Sequence, residues 1–246
     1  MQSTLRNINT RGSFIFSMMM LFFITACSKE KVVIEVPPGI PTDTAQPLKT
    51  YLALGDSYTV GSSVSAQESF PVQTWAKLTS QQVSMAYPQI IATGGWTTGN
   101  LLSALEASPP TKKYDVVSLL IGVNNQYQHR SQAEYRTEFS LLLNKAIGYA
   151  NGKKNRVFVL SIPDYSVTPF AQYSDTVTIS NEIDQFNAIN KQISEEAGVK
   201  YLDITPISRM GRTDPSLQAT DGLHPSGNQY QRWSDLLAPM IKLSLQ

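Results

Sequence analysis

His224 is one of only two histidines in 246 residues, and it stands in the run Ala219-Thr220-Asp221-Gly222-Leu223-His224-Pro225. An aspartate three residues before a histidine, on a loop stiffened by proline, can hold and orient the imidazole. Far upstream, Leu52-Ala53-Leu54-Gly55-Asp56-Ser57-Tyr58-Thr59 sets a serine just past a short apolar run. Serine, histidine and an orienting carboxylate are the parts of an activated nucleophile. His224 would take the Ser57 proton, and Asp221 would fix the ring tautomer and stabilise the imidazolium. Acyl transfer at a serine also creates an oxyanion, which needs donors already in place. The Ser57 N–H is one. Gly95, in Gly94-Gly95-Trp96-Thr97-Thr98, can bring its N–H close because no side chain obstructs the approach. Asn124, in Gly122-Val123-Asn124-Asn125, offers an amide NH₂.

Each residue has a plainer structural reading. Serine is favoured at a helix N-cap, so Ser57 suits a strand-to-helix junction whether or not it reacts. Asp221 can cap a turn, Gly94-Gly95 can be a tight turn, and asparagine tolerates left-handed turn geometry. What these readings leave unexplained is the order in which the residues fall along the chain. The elements that must position them show why that order matters.

From Lys49 onward short apolar runs alternate with stretches of helical period. The expected strands are Tyr51–Leu54, Gln89–Ala92, Val116–Ile121, Val157–Ser161 and Tyr201–Ile204. Between them, Tyr135, Phe139, Leu142, Leu143 and Ile147 make one apolar helical face, and Ile183, Phe186, Ile189 and Ile193 another. Asn228–Leu243 reads as a last helix carrying Tyr230, Trp233, Leu236 and Leu237. Alternating strands and helices predict an α/β domain over 49–246, with a parallel sheet of about five strands covered on both faces. Open parallel sheets bind ligands beyond the carboxyl ends of their strands. Ser57 follows the first strand, Gly95 the second and Asn124 the third, and the Asp221/His224 loop precedes the last helix.

Four such blocks in this order resemble the SGNH (GDSL) hydrolase family. Gly55-Asp56-Ser57 matches its serine block, Gly95 its glycine block, Gly122-Val123-Asn124 its asparagine block and Asp221-Gly222-Leu223-His224 its histidine block. The resemblance implies a flavodoxin-like three-layer α/β/α sandwich and hydrolysis of carboxylic esters through an acyl-enzyme, with no metal and no cofactor. It also implies a departure, because the third block usually reads Gly-x-Asn-Asp and Asn125 stands here in place of the acid. With the Asn124 donor kept, exchange of Asn125 for aspartate is expected to be tolerated. The other common serine-hydrolase signature, Gly-x-Ser-x-Gly, does not occur, which argues against the α/β-hydrolase fold.

Composition narrows the classes further. A net charge of +1 with no basic stripe gives no nucleic-acid surface. Two histidines and a single cysteine supply few metal ligands. His129, in Gln126-Tyr127-Gln128-His129-Arg130, reads as a solvated loop residue with substrate contact as the lesser alternative, and Trp96 reads equally as packing near the site or as lining an acyl or sugar pocket. Segments 163–175 and 206–219 are expected to rim the site. Their mixed polar and aromatic character favours short acyl groups on a small-molecule or glycan ester. Carbohydrate O-deacetylation and a lysophospholipase-like activity are the alternative chemistries. A surface protein that binds a glycan or lipid without turnover is the reading from another class, disfavoured by the complete Ser57, Asp221 and His224 set.

The lone cysteine, Cys27, excludes an intrachain disulfide. It ends an apolar run from Phe14 to Ala26 that follows Arg6 and Arg11, the layout of an export signal over residues 1–26. The run is too short for a confident spanning helix. Ile24-Thr25-Ala26-Cys27 resembles a bacterial lipobox, which implies lipidation of Cys27 and attachment to a membrane of the cell envelope. An ordinary signal peptide or an uncleaved anchor is the alternative. Removing residues 1–26 takes away two of 20 basic residues and none of 19 acidic ones, leaving a net charge of −1. Residues 27–48 then form a tether, with Pro37, Pro38 and Pro41 as stiffeners, though Val32–Val36 suits an edge strand as well. In polyproline geometry residues 28–47 would reach roughly 60 Å. If Cys27 carries the lipid, the protein fractionates with membranes and Cys27→Ser abolishes the modification while the domain from Lys49 keeps its activity. Firm attachment needs more than one acyl chain. Mass spectrometry of the mature N-terminus decides it, and an unmodified N-terminus downstream of Cys27 would overturn the anchor.

Overall fold

Strands that are apolar at every position cannot face water on either side, so they must be covered twice. The computed structural model of the chain describes residues 47–246. The signal sequence expected over 1–26, Cys27, and all but the last two residues of the expected tether lie outside the described residues. The chain runs β1 (Tyr51–Gly55), α1 (Ser57–Val60), α2 (Phe70–Ser80), β2 (Gln89–Ala92), α3 (Thr98–Ala107), β3 (Val116–Leu120), α4 (Val123–Tyr127), α5 (Gln132–Tyr149), β4 (Val157–Leu160), α6 (Thr176–Ala197), β5 (Lys200–Leu202), α7 (Thr205–Arg209) and α8 (Gly227–Leu245). All five strands are parallel, in the order β2-β1-β3-β4-β5. The inner strands β1, β3 and β4 are buried at every position, and the edges β2 and β5 are partly exposed.

The strand order dictates where helices go. The chain steps one way from β1 to β2, then crosses back over β1 to β3 and continues to β4 and β5. Crossovers between parallel strands are right-handed, so reversing the step direction sends the connections to the opposite face. α2 pairs with α8, whereas α3, α5 and α6 pack in series. The result is the expected α/β/α sandwich. α8 is seated by Trp233 and Tyr230, both fully buried, with the Trp233 ring 6.1 Å from that of Phe70 on α2.

Most element boundaries fall within a residue or two of expectation, but β5 lies earlier than Tyr201–Ile204. The Ser161 hydroxyl explains the shift. It donates to Asp203 at 2.9 Å and accepts from the Ile204 and Thr205 N–H groups, so the backbone after Leu202 turns into α7. Of the four apolar residues noted on the last helix, Leu236 is 44% exposed, while Tyr230, Trp233 and Leu237 carry the packing. Backbone pairing begins at Lys49, which bridges to Met85 in parallel sense.

Candidate active site

β1 delivers Ser57 through a tight turn. A side chain on Gly55, the last strand residue, would run into Thr59 Oγ1 and the Leu120 carbonyl, so glycine is required where β1 passes β3. Asp56 then caps α1, its Oδ1 accepting from the Tyr58 N–H at 3.0 Å. Ser57 is thus the first residue of a one-turn helix and is itself largely buried. Asp56 is fully buried, and burial pushes its carboxyl up to about 7 against the pull of backbone N–H groups of Tyr58, Asp56 and Gly122. The Asp56 Oδ2 has no hydrogen-bond partner among the described residues.

At the other end of the domain, Asp221 and His224 meet as their spacing predicts. Oδ2 of Asp221 lies 2.5 Å from His224 Nδ1, and Oδ1 accepts from the backbone N–H groups of Leu223 and His224, both at 3.0 Å. Burial pushes the Asp221 carboxyl up, but the bonds from His224, Ser63, and the Leu223 and His224 amides outweigh it and hold the group well below the usual carboxylate range. The acid is therefore ionised and the ring carries its hydrogen on Nδ1, leaving Nε2 as the nitrogen free to accept a proton. The Tyr58 ring packs 5.2 Å from the imidazole, tilted by 53°.

Ser57, Asn124 and His224 line one cavity of about 120 Å³. Tyr58, Val123 and Leu223 form its inner walls, and Tyr127, Tyr165 and Phe170 stand round it with ring centroids 6.0–6.3 Å apart. Ser57 Oγ makes no hydrogen bond among the described residues. Proton transfer to His224 therefore requires the two to close once substrate fills the cavity, as is common for sites without ligand. The Asn124 amide gives one hydrogen to the Trp96 carbonyl at 3.0 Å, which leaves its second for the cavity.

The glycine block lies against Ser57 without lining the cavity. A Cβ on Gly94 would be 3.9 Å from Ser57 Cβ. Gly95 has φ +80° and open space where its side chain would be, so glycine is needed there for its left-handed backbone and not to relieve crowding. Its N–H has no partner among the described residues, and its carbonyl accepts from Gln128 Nε2 at 3.3 Å.

Other expected contributors fall elsewhere. The Trp96 side chain lines a separate groove along β2 with Ile91 and Tyr114, and only its backbone serves the site. His129 is exposed and away from the cavity, in keeping with its reading as a solvated loop residue. Of the two expected rims, 163–175 supplies Tyr165 and Phe170, held to the histidine loop by the Phe170 N–H bond to the Gly222 carbonyl at 2.9 Å. No residue of 206–219 lines the cavity; Ser208 and Gln218 lie behind His224 with Pro163 and Pro225. Among the described residues no cluster of His, Cys, Asp or Glu offers a metal-ligand set.

Sequence reading missed Ser63. Its hydroxyl donates to Asp221 Oδ2 at 2.6 Å from a residue with φ +66°, in the loop that follows α1. A serine so far from Asp221 in sequence carries no local signal of that contact.

With this geometry in view, the likeness to known proteins is direct. Residues 53–232 match the GDSL-like Lipase/Acylhydrolase family. The chain belongs to that family and is a hydrolase of ester bonds. Among solved structures it resembles TesA, at 16% identity and a TM-score of 0.61 over 80% of this chain and 99% of that one. It also resembles a lipase/acylhydrolase from Enterococcus faecalis (18%, TM-score 0.60, 78% and 95% covered). A third likeness is to Axe2, an acetylxylan esterase from Geobacillus stearothermophilus (19%, TM-score 0.57, 80% and 94% covered). No curated protein matches the sequence. At these identities the structural likenesses speak to the fold.

Two outcomes follow from the site. Ser63→Ala removes one donor from an ionised carboxylate that keeps three others, so kcat should fall about three- to tenfold with little change in KM; an unchanged kcat would make the contact incidental. Asp56, with its carboxyl near 7 when folded and about 3.9 when unfolded, keeps a proton in the folded chain that the unfolded chain has lost. Its contribution to stability therefore falls as pH rises from about 4 to about 7. Asp56→Asn retains an oxygen for the Tyr58 N–H and removes the titration. The unfolding free energy of the wild type relative to this variant should decline through that window and level off above it, and a flat difference would show an ordinary Asp56.

Proposed function

We propose that this chain is a serine esterase acting through an acyl-enzyme on esters of short acyl groups. The carrying observation is the 2.5 Å bond from His224 Nδ1 to Asp221 Oδ2, which frees Nε2 in the cavity that Ser57 also lines. Ser57 Oγ attacks the ester carbonyl carbon while His224 Nε2 takes the hydroxyl proton and the carbonyl electron pair moves onto oxygen. That oxyanion receives the N–H groups of Ser57 and Gly95 and the second Asn124 hydrogen. Collapse breaks the bond to the alkoxide, which leaves with the proton from Nε2. Water then repeats the sequence on the acyl-Ser57, releasing the carboxylic acid and restoring the serine. Asp221 stays ionised throughout and steadies the imidazolium.

Cavity size supports the short acyl group. An apolar cavity of about 150 Å³ admits benzene, so about 120 Å³ takes an acyl chain of a few carbons. A specific observation favours acetylated carbohydrate as a second reading. Tyr127 and Phe170 stand 52% and 47% exposed at the rim, where flat rings suit a sugar face. The resemblance to Axe2 agrees with it. We also infer export and lipid attachment through Cys27, on the strength of the lipobox-like run and the proline-bearing tether.

Chromogenic esters of increasing chain length, beside acetylated xylo-oligosaccharides, separate these readings: turnover should drop beyond roughly four acyl carbons, and a preference for long chains would overturn the short-acyl proposal. Ser57→Ala should abolish fluorophosphonate labelling and lower kcat on the order of 10⁶-fold with the fold intact. Asn124→Ala should lower kcat by roughly 10²–10³-fold with less effect on KM. Full labelling of Ser57→Ala would remove the nucleophile assignment.

A further inference from the structure

Asn125, where the resembled block carries an acid, is fully buried, and its partners fix its orientation. The Thr98 backbone N–H, which can only donate, lies 3.0 Å from Oδ1, so the carbonyl end of the amide must face it. The NH₂ end then donates to Thr98 Oγ1 at 2.7 Å. A hydroxyl has one hydrogen. With an Oγ1 lone pair occupied by Asn125, that hydrogen goes to the carboxylate of Glu138 on α5. The bonds run one way, from amide to hydroxyl to carboxylate.

This relay sits at the junction that carries the oxyanion donors. Thr98 opens α3 after the Gly94–Trp96 turn and the Thr97 cap, and Asn125 follows Asn124 on α4. The bonds from Asn124 to the Trp96 carbonyl and from Gln128 to the Gly95 carbonyl join the same two segments. How firmly α4 is held against the start of α3 therefore sets the Gly95 N–H relative to the Asn124 amide.

We propose that Asn125 and Glu138 are a matched pair of positioning residues for the oxyanion donors, coupled through the single hydrogen of Thr98. The inference rests on reading Gly95 and Asn124 as those donors. A neutral donor is required at 125 because a carboxylate stands at 138. Asn125→Asp, which the sequence alone suggests is tolerated, would keep the Thr98 N–H bond but place a carboxylate oxygen on each side of the Thr98 hydroxyl, whose single hydrogen can serve only one of them. Glu138→Gln alone is accommodated, because the new amide can turn its oxygen to the hydroxyl. Combining the two changes reverses the relay: the amide at 138 donates to Thr98, whose hydrogen passes to the carboxylate at 125.

Four proteins test this: wild type, Asn125→Asp, Glu138→Gln and the double variant, each measured for kcat and KM on a chromogenic acetate ester and for Tm. Asn125→Asp should lower kcat about tenfold or more with KM within roughly twofold, and lower Tm by several degrees. Glu138→Gln should stay near wild type, and the double variant should recover most of both losses. A double variant no better than Asn125→Asp, or an Asn125→Asp protein like wild type, overturns the pairing. If Asn125→Asp does not fold, recovery of folded, active double variant supports the pair, and its failure to fold overturns it. Coupling seen in Tm and absent from kcat would make the pair structural only and overturn the positioning role. Asn124→Ala separates the underlying reading, since full turnover in that variant removes the oxyanion assignment while the Tm coupling of 125 to 138 stands unaffected.

Discussion

The pairing of β1 with β3, from Tyr51 opposite Val116 to Gly55 opposite Leu120, is the constraint on which the rest of the molecule depends. These two strands lie side by side although α1, α2, β2 and α3 separate them in sequence. β1 leaves toward β2 on one side, and β3 leaves toward β4 on the other. The connections therefore diverge above the adjacent strand ends, which opens a crevice at the switch point of the sheet. Ser57 stands two residues beyond Gly55, and Asn124 four residues beyond Leu120. The crevice and the groups that line it come from one topological fact. Both strand ends carry glycines that would clash if substituted, because Gly122, at φ +132°, would place a Cβ 2.6 Å from the Tyr135 ring.

Two aspartates near the cavity show how environment divides identical side chains. Asp56 is sealed in the core beneath Ser57 and receives one full hydrogen bond, so burial wins and its carboxyl rises to about 7. Asp221 lies on a partly exposed loop and accepts from Ser63, Leu223 and His224, so donors win and its charge is secured. Burial explains the first in spite of its N-cap position, and an aspartate-headed turn explains the second. Asp221 meets three of its donors from the backbone and side chains of the next three residues, which is why the motif is compact.

That compactness also explains what was legible in the sequence. The Asp221–His224 contact is local, and spacing alone foretells it. The strands were visible because a buried parallel strand is apolar throughout, and Ser57, Gly95 and Asn124 stand out once those strands are placed. Contacts that depend on distant segments were not visible. Ser63 reaches Asp221, and Thr98 reaches Glu138, through approaches that no local pattern encodes. The left-handed backbone at Gly95, which also calls for glycine there, is a further reason that the sequence did not display. The second expected rim failed because polar composition identifies a loop without telling which side of His224 it covers.

Bringing His224 to Ser57 closes a loop of more than 160 residues, and packing of α2 on α8 away from either residue helps to close it. α8 follows the histidine loop immediately, and α2 follows the nucleophile segment. Their docking is fixed by the Phe70–Trp233 contact and by the Ser234 hydroxyl, which donates to the Phe70 carbonyl at 3.1 Å. Gln73 adds a bond to the Gly227 carbonyl at 2.9 Å, at the very start of α8. Long loops are costly to close before their contacts form, so non-local pairs of this kind lag behind local ones during folding. The Asp221–His224 unit can form within its own turn, and the nucleophile turn within its own strand and helix. The Ser63–Asp221 bond and the Tyr58–His224 contact join them at the site, and the docking of α2 on α8 holds the two segments together behind it, so catalytic competence depends on that helix interface as well as on the three side chains it brings together.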